Sequence, residues 1–140
     1  MLTDEAKQRI VQAAAQALDK AYAPYSHYPV GAALITQEGK IYTGVNVENA
    51  AYPSSMCAER VAVFKAVSEG EYDFNGIAVV TPNGGSPCGS CRQVLSEFNL
   101  DMEVIIADDH GNIHTETTVR GLLPGSFGPI DLEKSKQPKA

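Results

Sequence analysis

Every cysteine of this 140-residue chain lies in one of two short stretches, Cys57-Ala58-Glu59-Arg60 and Pro87-Cys88-Gly89-Ser90-Cys91. A fold that uses the three thiols as one group must bring these stretches together, which constrains the chain more than any other feature. Three thiolates are a natural tetrahedral set for Zn²⁺, and Cys88 and Cys91, three apart, share a face if a helix starts there. A structural zinc takes four protein ligands. Here the cysteines run out at three, and His27, His110 and His114 lie far along the chain from both stretches. The arithmetic favours a centre whose fourth position is open to water or substrate, the arrangement of a catalytic zinc. Glu59, two residues from Cys57, is then the candidate proton carrier. Two competing readings are a redox-active C-x-x-C pair and three buried structural cysteines beside a surface glutamate.

The rest of the composition narrows the class. At 140 residues and 44% hydrophobic content, residues 1–140 suffice for one domain with a proper core and no disulfide framework. The segment Met1-Leu2-Thr3-Asp4-Glu5 lacks the basic and apolar regions of a secretory leader, and no run approaches about 18 consecutive apolar residues. These features predict a cytoplasmic protein without a membrane span. An odd number of cysteines with no secretion signal suits thiolates on a metal better than disulfides. Net charge is −6, the wrong sign for tracking a nucleic-acid backbone, so a small uncharged substrate is expected.

Along the chain, Thr3 is placed to cap a helix reaching to about Lys20, with Asp4 and Glu5 beside the positive end of its dipole and Val11, Ala14, Ala15 and Leu18 as its apolar stripe. The loop Ala23-Pro24-Tyr25-Ser26-His27-Tyr28-Pro29 is shaped by two prolines, and its His27 reads as solvated or hydrogen-bonded. Val30 to Ile35 and Lys40 to Val45 read as a hairpin turning at Glu38-Gly39. Beyond it, Asn46 and Glu48 point the same way on an extended backbone, a pattern equally consistent with gripping hydroxyl groups or with an exposed strand edge.

Ser54 or Ser55 is the expected cap of a second helix, which carries Cys57 to Arg60 in its first turn and Val61, Phe64, Lys65 and Val67 on toward Gly70. Ile77 to Val80 and Glu103 to Ala107 read as buried strands. Between them, Ser86 and Pro87 are placed to open a third helix with Cys88 and Cys91 in its first turn. Two helix N-termini would then converge on the thiols and stabilise their negative charge. Asp108-Asp109-His110-Gly111-Asn112 reads as a hairpin turn rather than a metal cluster, and His114 as exposed on the edge strand that follows. Gly121 to Ile130 is apolar yet rich in breakers, so it must pack on its own domain or on another subunit. Residues from about 132 to 140 read as a frayed tail.

The joint pattern C-A-E-R and P-C-x-x-C, thirty-one residues apart, is the signature of zinc-dependent nucleoside and nucleobase deaminases. With Pro24-Tyr25-Ser26, Val30-Gly31-Ala32-Ala33, Asn46-Val47-Glu48-Asn49-Ala50, Arg92-Gln93-Val94 and Leu122-Leu123-Pro124 with Phe127, the chain resembles the small, homotetrameric zinc-type cytidine deaminases over nearly its full length. The resemblance implies a three-layer α/β/α sandwich around a five-stranded mixed sheet. It implies one Zn²⁺ per chain on Cys57, Cys88 and Cys91, with Glu59 as proton carrier in the conversion of cytidine or 2′-deoxycytidine to the uridine and ammonia. It also makes Asn46 and Glu48 the ribose-binding pair, Tyr28 the ring that stacks near the base, Ala58 a further substrate-binding residue, and Phe127 a contribution to an adjacent subunit's site. Arg60 would offset the excess negative charge of three thiolates on one zinc. At Tyr28 the family usually carries phenylalanine, and the added hydroxyl needs a partner. Rival readings are a deaminase of another cytosine compound, as in the blasticidin S deaminases, a nucleic-acid editing enzyme, and a non-catalytic zinc-stabilised binding module.

Overall fold

The computed structural model of the protein describes residues 1–135. Thr3 opens α1 (Asp4–Leu18) by accepting from the amide of Ala6 at 3.1 Å, as its position beside two acidic residues predicts. The helix buries Ile10, Val11, Ala14 and Leu18 against the sheet. Ile10 is an addition to the expected stripe, Ala15 is only half-buried, and the helix closes at Leu18, two residues short of Lys20.

Five strands follow: β1 (Gly31–Thr36), β2 (Ile41–Val45), β3 (Phe74–Thr81), β4 (Glu103–Asp108) and β5 (Ile113–Thr118). Their order is β2-β1-β3-β4-β5, with β3 and β4 parallel and the other pairs antiparallel, which makes the expected mixed sheet. A parallel pair needs a crossover, and α3 (Gly89–Phe98) supplies it between β3 and β4. Alternation along the central strands feeds two cores. Ala33, Ile35, Ala78, Val80, Ile105 and Ala107 pack beneath α1, while Ala32, Leu34, Ile77, Val79, Val104 and Ile106 pack beneath α3 and α2 (Ala58–Ser68). Helices on both faces give the three layers and explain why these strands read as continuous apolar runs.

The expected apolar face of α2 is corrected by the structure. Its buried residues are Ala58, Glu59, Ala62, Val63 and Ala66, and Phe64 is 46% exposed. Small side chains four apart let the helix lie close on β2, and Gly44 completes the approach: a Cβ there would sit 2.4 Å from the carbonyl oxygen of Ala58. That contact sets the first turn of α2 against the strand end that carries Asn46.

Asp108 organises the β4–β5 turn. Its Oδ1 accepts from the amides of His110 and Asn112 at 2.9 and 3.0 Å, the Asx geometry expected of a turn. Its Oδ2 lies 2.8 Å from His114 Nε2, so His114 is engaged rather than simply solvent-facing. The bond to His114, with the amide donors, holds the Asp108 carboxyl well below the usual carboxylate range. After the short α4 (Val119–Leu122), the chain forms α5 (Pro129–Ser135) where a frayed tail was expected to begin. Pro129 provides the start, since its fixed φ and missing N–H suit a first helical position. Residues 136–140 of the expected tail lie outside the described residues. Among the described residues no helix is long and apolar enough to cross a membrane.

Candidate metal centre and active site

One end of the sheet gathers the chemistry. Gly31 pairs with both Val45 and Val80, so the start of β1, the end of β2 and the end of β3 lie side by side. The loops leaving that end hold Tyr28, Asn46, Glu48 and the segment 82–88. In open α/β sheets ligands bind outside the carboxyl ends of the parallel strands, and β3 ends here.

The two cysteine stretches meet there. Cys57 Sγ lies 3.8 Å from Cys88 Sγ, Cys88 Sγ lies 3.5 Å from Cys91 Sγ, and all three sulfurs fall within 4.8 Å of one another. These separations are too long for a disulfide, whose S–S bond is about 2.05 Å. They match the edge of a zinc tetrahedron, about 3.8 Å for Zn–S bonds of about 2.3 Å. The donor set therefore fits a zinc ion held by Cys57, Cys88 and Cys91.

The local backbone corrects the expected caps. Cys57 is itself the N-cap of α2 and Cys88 the N-cap of α3, both with extended φ and ψ and without a side-chain capping bond. Ser54 instead belongs to a 3-10 turn, Tyr52–Ser54, and Ser86 Oγ accepts from Arg92 Nη2 at 2.9 Å. Two sulfurs at N-caps put the thiolate charge beside two positive helix ends. Arg60 Nη2 donates to Cys57 Sγ at 3.3 Å. Donation from Cys91, Arg60 and Cys88 pulls the Cys57 thiol down to about 5, while Cys91, buried and donating to Cys57, keeps its proton well above the usual thiol range.

A cavity of about 250 Å³ opens beside the cluster, lined by Tyr28, Asn46, Glu48, Cys57, Ala58, Glu59, Thr81, Gly85 and Cys88 among others. Glu59 is 4% exposed, and burial pushes its carboxyl above the usual range. Ala58 is fully buried, in the first turn of α2, whose leading N–H groups have no intrahelical acceptor.

Asn46 and Glu48 flank Val47, which bridges to Tyr22 on one side and Met56 on the other. Both side chains also brace the loop. Asn46 Oδ1 accepts from the amide of Val30 and its Nδ2 donates to the carbonyl of Tyr28, each at 2.9 Å. Glu48 accepts from the amides of Tyr25 and Ser26 and from Ser26 Oγ, and the Ser26 contacts hold its carboxyl below the usual range. No spacing pattern in the sequence signals these internal partners.

Phe127 is placed elsewhere. It is 58% exposed and outside the lining of its own chain's cavity, with its carbonyl held by Gln93 Nε2 at 2.8 Å. The partner of the Tyr28 hydroxyl is Asn83, whose Oδ1 accepts at 2.6 Å. No sequence signal links these residues, since Pro82-Asn83-Gly84 reads as an ordinary turn.

Fold and site together define an α/β metalloprotein with a tri-thiol zinc centre beside a buried carboxylate. Residues 4–107 match the family model described as the cytidine and deoxycytidylate deaminase zinc-binding region. The chain belongs to that family. It is 49% identical over 128 residues to a cytidine deaminase of Sporosarcina psychrophila, covering 89% of this chain and 93% of the relative. It is 43% identical over 134 residues to a probable cytidine deaminase of Dictyostelium discoideum, covering 94% and 90%. The crystal structure of a cytidine deaminase from Burkholderia pseudomallei superposes with a TM-score of 0.82 at 43% identity, covering 90% of this chain and all of that one.

Proposed function

We propose that the protein deaminates cytidine and 2′-deoxycytidine hydrolytically, yielding the uridines and ammonia. The observation that carries this reading is that Glu59, Cys57 and Cys88 line the same small cavity as Asn46 and Glu48. Its volume of about 250 Å³ falls just below the range of roughly 300–1,000 Å³ for drug-sized ligands, which suits a nucleoside better than a polymer. Zinc, when bound by the three cysteines, supplies the Lewis acidity that makes water a nucleophile near neutral pH.

Glu59 then handles the protons. Its carboxylate takes a proton from the water that attacks C4 and delivers it to N3 of the pyrimidine, then carries the C4 hydroxyl proton to the amino group, which leaves as ammonia as the C4–N bond breaks and the C4 carbonyl forms. Burial favours its protonated form, as an acid in the second half of the reaction needs. Arg60 offsets part of the thiolate charge, and the amide of Ala58 is available to the base. Asn46 and Glu48 hold the sugar. Three unpaired thiols suit a reducing compartment, and we place the enzyme in the cytoplasm.

A substrate panel tests the reading. Cytidine and deoxycytidine should be consumed far faster than blasticidin S or cytosines in single-stranded DNA. Preference for either of the latter would select one of the rival deaminases, and no turnover of any would leave a binding module. Glu48→Ala should raise KM for cytidine by about tenfold to a hundredfold, the range for a hydrogen bond to a charged group, while free cytosine, already a poor substrate, loses less, since for it only the bracing of the Tyr25–Ser26 loop is removed. Equal losses on both substrates would show that Glu48 does not read the sugar.

We also propose a homotetramer in which Phe127 enters a neighbour's cavity. Its ring is exposed and outside its own site, in a segment too apolar for solvent. Stacking of a base on an aromatic contributes about 1–3 kcal/mol, so Phe127→Ala should weaken cytidine turnover while zinc content holds. Co-refolding Glu59→Ala with Phe127→Ala chains should give activity above the mean of the two parents, because hybrid sites regain both side chains. Verified mixing without that excess would confine Phe127 to its own chain.

A further inference from the structure

Tyr28 and Asn83 lie 55 residues apart on two loops that form neighbouring walls of the cavity, and one hydrogen bond of 2.6 Å joins them. The loop that carries Asn83 is gripped on both sides. On the cavity side, a Cβ at Gly85 would lie 2.4 Å from the Tyr28 hydroxyl, and the Gly85 amide donates to Thr81 Oγ1 at 2.7 Å. On the outer side, the His114 ring, held by Asp108, packs so closely on Gly84 that a Cβ there would lie 2.6 Å from Nδ1. Gly84 also adopts a left-handed φ of +74°, so the turn is built around glycine twice over.

Tyr28 is tied on its other flank as well. Its amide donates to Ser26 Oγ at 3.0 Å, and Ser26 Oγ donates to the Glu48 carboxylate. A chain of hydrogen bonds therefore runs from Glu48 through Ser26 and Tyr28 to Asn83, and none of its members is Glu59 or a cysteine. Removing the hydroxyl would leave the aromatic ring held by packing alone.

We propose that the Tyr28 hydroxyl and Asn83 form a latch that preorganises the Tyr28 ring for the pyrimidine, so that both are positioning residues setting substrate affinity. The inference rests on the reading of the cavity as a cytidine site. Without the latch, binding must order the ring and the 82–85 turn, which weakens affinity without touching Glu59 or the cysteines. Loss of uniform binding of this kind raises KM and leaves kcat nearly unchanged.

The test compares Tyr28→Phe, Asn83→Ala and the double variant with the parent, by steady-state kinetics on cytidine and by amide hydrogen exchange of the ligand-free protein. Each single substitution should raise KM by about three- to tenfold, the range one net hydrogen bond supports, with kcat falling less than about twofold. The double variant should be no worse than Asn83→Ala, which removes the shared bond and also the 3.5 Å contact that Asn83 Oδ1 accepts from Thr81 Oγ1. Exchange at Gly84 and Gly85 should quicken by a similar factor in all three variants, while α1 exchanges as in the parent. Additive KM effects, a fall in kcat without a rise in KM, or unchanged exchange at Gly84 and Gly85 would each overturn the latch. The exchange experiment needs no turnover, so a parent that leaves cytidine intact would refute the substrate reading while the latch is judged on its own.

Discussion

Glu59→Gln is expected to reduce cytidine turnover by about 10⁴-fold while the protein keeps its zinc. General acid–base catalysis contributes about 10²- to 10⁴-fold per group, and Glu59 serves several transfers in turn, which places the loss at the upper end. Glutamine preserves volume at a site that is 4% exposed, so α2 and the cavity wall should remain in place. Steady-state kcat and zinc content measured on one preparation separate the two effects. Near-normal turnover in the variant would remove Glu59 from the chemistry, and loss of zinc with turnover would make it a support for the metal instead.

Stripping the metal is expected to abolish ammonia release and leave the fold intact. Phe74, Ile10, Leu34, Ile77, Leu95 and Ile105 are all fully buried with no part in the thiol cluster. Each such side chain contributes about 1.5–3 kcal/mol on burial, so the sheet and its helices do not depend on the metal as a zinc finger does. Dialysis against a chelator should bring activity to background with the far-ultraviolet circular dichroism unchanged, and about one equivalent of zinc per chain should restore it. The metal-free cluster also fixes the sign of the pH dependence. Cys57 is already pulled down to about 5, whereas Cys91 keeps its proton, so zinc must displace a proton there and its affinity should rise with pH. Affinity that falls from pH 6 to pH 8 would contradict this ligand set.

What the sequence discloses follows from how local each signal is. The stripe of α1, the β1–β2 hairpin and the Asp108 turn depend on residues a few positions apart, and each forms close to where its pattern lies. The thiol cluster was legible for a different reason: with three cysteines in two stretches, chemistry demanded convergence before the fold was known. The α2 face was misread because apolar residues surround that helix, and only its close contact with Gly44 selects the alanines. Propensity alone favours serine over cysteine as an N-cap and so points to Ser54, Ser55 and Ser86, whereas Cys57 and Cys88 occupy the positions themselves. The Tyr28–Asn83 contact and the internal partners of Asn46 are tertiary, and no spacing rule reaches across 55 residues.

The most direct measurement of the central claim is the product balance of the zinc-loaded protein on cytidine. Uridine and ammonia should appear in a one-to-one ratio, at a rate proportional to bound zinc up to about one ion per chain, and Glu59→Gln at the same zinc content should give almost none. Cytidine left intact by protein carrying a full complement of zinc would contradict the account.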